Sequence, residues 1–413
     1  MTTTFNYGRG HLTSSIALAI ANGTTRGVIT AQTAQIVLQS QQHVQDIVSS
    51  GKTVYGINTG FGALASTLIS ESDTRLLQYK ILQSHSVGVG NPVSPEISKL
   101  MLITKVHSLA KGFSGVQLST LERIIWHIDN DENLTPIQLG PKEGLALING
   151  TQFILSFAVK AVQRLHNCLD AADIIGAMSL EALTGTQAPF NPKLHELRPF
   201  AGNQLVAQRL RLILKDSEIM QSHIDCGRVQ DPYSLRCMPQ VHGASRNAWQ
   251  HLKELTEIEL NSVTDNPVIF SADDTISGGN FHGQPLALPL DYAAVAASEA
   301  GNISDRRCYL LLEGKWGLPM LLMNNVGLNS GFMIPQYTTA ALVTENKTLC
   351  FPASADSIPT SLGQEDHVSM GSISGRKLSR IIDNLENILG IELLTACQAI
   401  EFRRPLKSSA LLE

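Results

Sequence analysis

From residue 378 onward the apolar positions Leu378, Ile382, Leu385 and Leu389 recur at the helical period and continue so to Ile400. The same period runs through most of the chain. It appears in a segment between Thr30 and Gly51, in one opened by Ser70 and Asp73 that ends near His85, and in one opened by Ser94-Pro95-Glu96 that stops at Gly112. Further stretches reach about Ile128 and then cover residues 143–183, 201–222, 242–260, 286–312 and 335–349. Local chemistry sets several of these bounds: Ser and Thr hydroxyls cap helix starts, and glycine ends them. Few aromatics (5%) with abundant Leu, Ile and Ala favour helices over sandwiches or barrels. The pattern predicts a mainly α protein, a bundle of long helices, with no fixed-period repeat. A smaller helix-rich N-terminal domain is expected over residues 1–139, and a central helical bundle over residues 140–413.

The connections are richer in glycine and polar residues than plain linkers need to be. Gly51, Gly56, Gly60 and Gly62 surround Tyr55 and Asn58, which predicts a mobile loop. It lacks the GK[ST] ending of a phosphate loop. VQDPYSLRC, SVTDNPVIF, ISGGNFHGQP, GLNSGFMIP and PTSLGQEDHVSM are similar pieces, placed where a rigid helical frame commonly carries its chemistry. LGPKEGLALINGTQ, residues 139–152, reads as a Gly-Pro turn entering a helix, with Pro141 at the first helical position and Asn149 in an apolar run. An unpaired buried amide costs about 1–3 kcal/mol, so Asn149 must bond either a neighbouring backbone group or a ligand. On this stretch alone the backbone partner is the commoner outcome.

A formal net charge of -5 without a basic run gives no reason to expect nucleic acid. The six cysteines show no CxxC pair or zinc spacing, and no helix carries two histidines at ligand spacing, so no metal site is expected. A reduced, cytoplasmic setting is the plain reading, since MTTTFNYGRG is not a signal peptide. The apolar run 145–159 is too short to span a bilayer and reads as a core helix. An acidic link, residues 129–133, follows the helix that ends near Ile128. Residues 407–413 carry no capping Gly or Pro and read as a helix cut short.

Nine strings, in order, resemble one family: YGINTGFG (55–62), SHSVGVG (84–90), KGFSG (111–115), KEGLALINGTQ (142–152), VQDPYSLRCMPQV (229–241), DNPVIF (265–270), ISGGNFHG (276–283), NSGFM (329–333) and SLGQEDHVSM (361–370). The chain resembles the aromatic amino-acid ammonia-lyases, and within them the histidine-type branch, over nearly its whole length from about Tyr55. That resemblance implies a mainly helical homotetramer whose active sites mix residues from several chains. It also implies removal of ammonia from L-histidine to give urocanate. The chemistry is demanding: the β-proton is weakly acidic and the amine leaves poorly. A base, an electrophile, a carboxylate anchor and a reader of the side chain are all needed.

By resemblance Tyr55 is the base, and a phenol of ordinary pKa about 10 needs a nearby positive group or dipole to ionise. Arg236 clamps the substrate carboxylate, a task suited to a guanidinium fork. Asn149 and Gln230 are amides around the substrate and the electrophile, Tyr233 is the second tyrosine, and Phe332 is a pocket wall. His85 and Glu365 read the imidazole, which offers one donor and one acceptor. Taken singly, each has a blander reading: a lid tyrosine, a surface arginine, a core phenylalanine, a structural histidine, a solvated glutamate. Their joint occurrence favours the functional one. His282 and His367 receive no role. Ser84-His85 and Glu365 argue against tyrosine or phenylalanine as substrate.

The electrophile of this family is 4-methylideneimidazol-5-one (MIO), formed by cyclisation of the enzyme's own Ala-Ser-Gly. No Ala-Ser-Gly occurs in these 413 residues. The resemblance places that triad, within several dozen residues, where the chain runs directly from Asp129 to Leu139. A lyase sequence from which a piece is missing, an outright deletion and an inactive relative compete, and the otherwise complete residue set favours the first. Two classes of function remain: a carbon–nitrogen lyase, and a helical ligand-binding or scaffold relative that holds histidine without reacting.

Overall fold

A computed structural model describes residues 3–130, 132 and 134–413. Asp131 and Asn133 of the expected acidic link lie outside the described residues. The protein is mainly helical, as its periodicity predicts, with two short two-stranded pairings. The chain divides into two compact units. The first comprises Met1–Lys160, Lys253–Leu288 and Ala353–Gly375; the second comprises Ala161–Leu252, Pro289–Pro352 and Arg376–Glu413. A boundary after Leu139 falls inside the first unit.

In the first unit, Thr3–Asn6 pairs in parallel with Thr25–Val28 around the helix Ser14–Ala21. Helix Ala31–Ser50 starts at Thr30, whose hydroxyl accepts from the Thr33 amide, and stops at Gly51 with φ 71°. Ser70 accepts from Asp73 N in the single 3-10 turn that leads into Thr74–His85, and Ser94 caps Pro95–Leu109. These ends follow the side-chain chemistry read from the sequence. Val44, Ile47, Val54, Ile57 and Ile269 form a shared apolar cluster.

Five expectations are corrected. The glycine-rich run is packed rather than loose: Gly56 to Gly60 are buried, and the Asn58 side chain accepts from Val54 N (2.9 Å) and donates to Lys52 O (2.9 Å). The helix expected over 143–183 is two helices, Glu143–Ile148 and Gln152–Ala182. At the break Asn149 turns extended (φ -74°, ψ 151°) and Gly150 takes φ 107°, open to glycine alone without strain. Lys142, left-handed at φ 73°, precedes the first of them, so Pro141 is not its first residue. The segment 201–222 likewise splits into Ala201–Ile213 and Glu218–Gln221, where Asp216 is left-handed and Ser217 caps the second piece. The last helix, Gly371–Glu401, ends before Pro405, and residues 407–413 form turns in which Lys407 N donates to Glu218 Oε2 (2.9 Å). By length and composition the stretch 143–182 could cross a membrane, but it is broken at Asn149 and most of its apolar window is buried by packing.

The second unit has its own apolar core, which includes Leu180, Leu183, Phe190, Leu210, Leu235 and Leu311. Charge is buried beside it. Arg307 grips Glu392 through two nitrogens (2.5 and 2.9 Å), and Ser179 and Ser304 satisfy the same carboxylate. His242 Nδ1 donates to Asp173 Oδ1 (2.9 Å), and Arg246 also donates to Asp173. Burial of the two carboxylates is tolerated because both oxygens of Glu392 and of Asp173 are partnered.

Candidate active site

A cavity of about 650 Å³ in the first unit is lined by Tyr55, His85, Asn149 and Glu365. Its apolar walls include Phe61, Ile81, Leu145, Ile148 and Phe281. Four residues spread over 310 positions of sequence are thus gathered at one concave surface, as a small-ligand site requires.

Each is placed by its local backbone. Tyr55 follows the buried Val54, and its phenol oxygen accepts from Gly62 N (3.3 Å). Gly56, next to it, holds φ 70°, and a Cβ there would lie 2.5 Å from Leu145 Cδ2. His85 ends its helix with Nδ1 donating to Ile81 O (2.8 Å), beside Ser84 Oγ (3.0 Å). Glu365 closes a tight turn in which Thr360 N donates to Glu365 O (2.9 Å). Its Oε1 lies 3.3 Å from where a Cβ on Gly62 would stand, and its buried Oε2 has no hydrogen-bond partner. Asn149, at the helix break, directs Nδ2 to Asp265 Oδ1 (3.2 Å) and Asn266 O (3.3 Å), leaving its side-chain oxygen free to accept.

Three residues behind Asn149 escaped the sequence reading. Lys142 is fully buried and its Nζ is paired with Asp265 Oδ2. Lys105, also buried, donates through Nζ to Ala146 O (3.1 Å) and to Asn149 O. Burial pushes its pKa down to about 8, with Asp265 pulling up and Lys142 pushing down. The network fixes the broken helix from behind while the Asn149 side chain faces forward. Signals existed: Lys105 stands alone in the apolar run 100–110, and Lys142 and Asp265 sit inside strings already singled out.

Gln230, Tyr233, Arg236 and Phe332 belong to the second unit. Gln230 and Arg236 line a second cavity of about 470 Å³. The Arg236 guanidinium lies 4.6 Å from the centroid of the exposed Tyr233 ring. Its Nε is buried without a partner, while the adjacent Asp231 is taken by Arg228 (2.8 Å) and Thr186 N (2.7 Å). Arg236 is therefore a guanidinium without a carboxylate among the described residues. Phe332 packs against the apolar core of this unit, which favours its blander reading.

Comparison with known proteins is consistent with this arrangement. The sequence profile of the family described as Aromatic amino acid lyase matches residues 12–132 and 130–413. The chain belongs to the aromatic amino acid lyase family. The histidine ammonia-lyase of Natranaerobius thermophilus is 41% identical over 92% of this chain and 85% of its own length. The crystal structure of histidine ammonia-lyase from Trypanosoma cruzi superposes with a TM-score of 0.90 at 38% identity, covering 99% of this chain and 87% of that one. Tyrosine aminomutase of Streptomyces globisporus matches with a TM-score of 0.92 at 28% identity, covering 98% and 90%. The two parts of the family match meet at residues 130–132, and the alignment with the Natranaerobius lyase runs over 433 positions, more than the 413 residues present here. The lyase relatives carry residues that this chain lacks.

The residues present do not fit MIO. Every Ser-Gly pair is preceded by something other than alanine: Ser49, Phe113, Ile276, Asn329 or Ile373. After the break in the family match, residues 135–138 are held by side-chain hydrogen bonds. Arg123 donates to Thr135 O (2.7 Å), Tyr79 to Ile137 O (3.2 Å) and Gln117 to Gln138 O (3.1 Å). Buried Glu143 then accepts from Gln117 N (2.8 Å), Thr120 Oγ1 (2.6 Å) and Gly140 N (2.6 Å).

Proposed function

We propose that this lyase-family chain carries a histidine ammonia-lyase site, one that takes L-histidine toward ammonia and urocanate in histidine breakdown, within the cytoplasm and as a homotetramer with shared sites. The observation that carries the reading is the joint lining of one cavity by Tyr55, His85, Asn149 and Glu365. Tyr55, held by Gly62 N–H, is the base for the β-proton. His85 and Glu365 receive the imidazole ring, and Asn149 receives the amine side of the substrate. By the family resemblance, in which sites mix residues of several chains, Arg236 with its unpaired Nε is the carboxylate clamp, flanked by Gln230 and Tyr233, and is supplied to the cavity of another copy in the tetramer. Phe332 lines the wall if it turns from the core it packs against. Identities of 38% and 41% with the two histidine lyases, against 28% with the tyrosine aminomutase, support the histidine-type choice.

The elimination needs the family's electrophile, and no triad in these 413 residues can form it. The chain as it stands therefore binds histidine without turning it over, the binding-relative alternative in chemical terms. Intact mass joined to calorimetric titration and a urocanate absorbance assay tests this. A chain of 44.7 kDa is expected to bind L-histidine and not L-tyrosine, with no urocanate formed. Urocanate production at that mass, or equal binding of tyrosine, refutes it.

A further inference from the structure

The cavity's hydrogen-bond chemistry also sets the protonation state of its ligand, given the histidine reading above. Glu365 is the one carboxylate among its described lining residues, and no lysine or arginine lines it. The cations behind the wall are already engaged: Lys142 with Asp265, and Lys105 with the carbonyls of Ala146 and Asn149. Asp366 and His367 follow Glu365 in the chain, and His367 is stacked on His282 with ring centroids 5.4 Å apart. Glu365 Oε2 is a buried acceptor without a donor. His85 Nδ1 faces Ile81 O at 2.8 Å, and a carbonyl only accepts, so the ring proton sits on Nδ1. Neutral His85 then offers only the lone pair of Nε2. Of the donors on the wall, the Tyr55 hydroxyl is assigned to the β-carbon and the Ser277 hydroxyl is spent on Asn266 Oδ1 (3.2 Å), while Ser361 and Gln364 stand on the turn that carries Glu365 and are left to that side of the ligand.

An imidazole ligand read by His85 and Glu365 thus meets two acceptors. A neutral imidazole has one N–H and one lone pair, so it satisfies one acceptor and sets lone pair against lone pair at the other. An imidazolium has two N–H groups and satisfies both. A proton placed on His85 instead of the ligand gives the same total. We infer that the cavity binds its imidazole ligand together with one extra proton, and so selects a protonatable ring over a neutral azole of the same shape.

Calorimetry of L-histidine binding to the full chain, in buffers of different ionisation enthalpy, tests this. At pH 8 uptake of about one proton per histidine is expected, vanishing toward pH 6. Affinity should fall up to about tenfold per pH unit above the ordinary ring pKa of about 6.5. 1,2,4-Triazole-3-alanine, whose ring stays neutral, should bind at least about tenfold more weakly. Glu365→Gln, whose amide can donate to a lone pair, should lose both the uptake and the discrimination, and an unchanged circular dichroism spectrum verifies its fold. Histidine binding without proton uptake and with equal affinity at pH 6 and pH 8 overturns the inference and leaves the histidine site standing. Failure of the folded wild-type chain to bind histidine at any pH overturns both.

Discussion

Asp265→Asn isolates what holds the cavity's rear wall. Lys142 is completely buried, with its Nζ on Asp265. Burial lowers its pKa, and the Asp265 charge and hydrogen bond oppose that. Neutralising Asp265 leaves the ammonium to stay charged without a counter-ion or to release its proton. The second route sets a ceiling on the cost. A lysine of ordinary pKa about 10.4 loses its proton at pH 7 for about 4.6 kcal/mol, that is, about 1.4 kcal/mol per pH unit. This agrees with the about 3–5 kcal/mol seen when one partner of a buried pair is removed. The sign follows from proton counting: the folded variant with neutral Lys142 binds one proton fewer than its unfolded chain, so its stability rises with pH. Its deficit against wild type should therefore shrink between pH 7 and pH 9 for as long as the Asp265 charge holds the wild-type proton on Lys142. Urea denaturation at pH 7, 8 and 9 measures it, and the double variant Lys142→Met/Asp265→Leu should lose less than Asp265→Asn alone. A deficit below about 1 kcal/mol at pH 7, or one indifferent to pH, would show that no charged pair supports this wall.

Other perturbations have equally definite outcomes. His107 is buried, accepts from Gly8 N through Nδ1 (3.1 Å), and is pushed down to about 4, chiefly by burial. Its contribution is fully present above about pH 6.5 and is lost as pH falls toward 4, up to about 3 kcal/mol; His107→Gln should flatten the acid limb of stability by one proton. Gly56→Ala forces a β-carbon onto Leu145 at φ 70° and should cost about 1–3 kcal/mol, with histidine affinity falling because Tyr55 is the neighbouring residue. Arg236→Lys should weaken histidine binding by about tenfold or more, through loss of the fork, while binding of histamine, which has no carboxylate, stays unchanged in the same titration.

Helix identities and caps were legible because they depend on neighbours within one turn: Thr30 with Thr33, Ser70 with Asp73, Ser94 with Ile97. What escaped depends on distant partners. The run around Tyr55 has the composition of a loose loop, yet it packs because Val54 and Ile57 meet Ile269 and Gly56 meets Leu145. The apolar period passes through Asn149 without interruption, and only Gly150 beside Thr264 reveals why the helix breaks there. Lys105 reads as an isolated charge until Asn149, 44 residues away, supplies the carbonyl that it serves.

In the proposed reading, binding and reaction are separable. The groups proposed to hold histidine stand on a helix end, a helix break and two packed turns, and all of these form although the link between Asp129 and Glu143 is short. Within that link, residues 135–138 and Gly140 are held by Arg123, Tyr79, Gln117 and Glu143, which use hydrogen bonds native to the helices on either side. The buried Lys142–Asp265 pair and the Lys105 contacts form without the longer segment, so the cavity's rear wall is in place in its absence. Replacing the link by a relative's Ala-Ser-Gly-bearing segment should then add urocanate formation to the histidine binding proposed for this chain. A replaced chain that forms urocanate only with a much altered histidine affinity would mean that the segment shapes the cavity as well as supplying the electrophile.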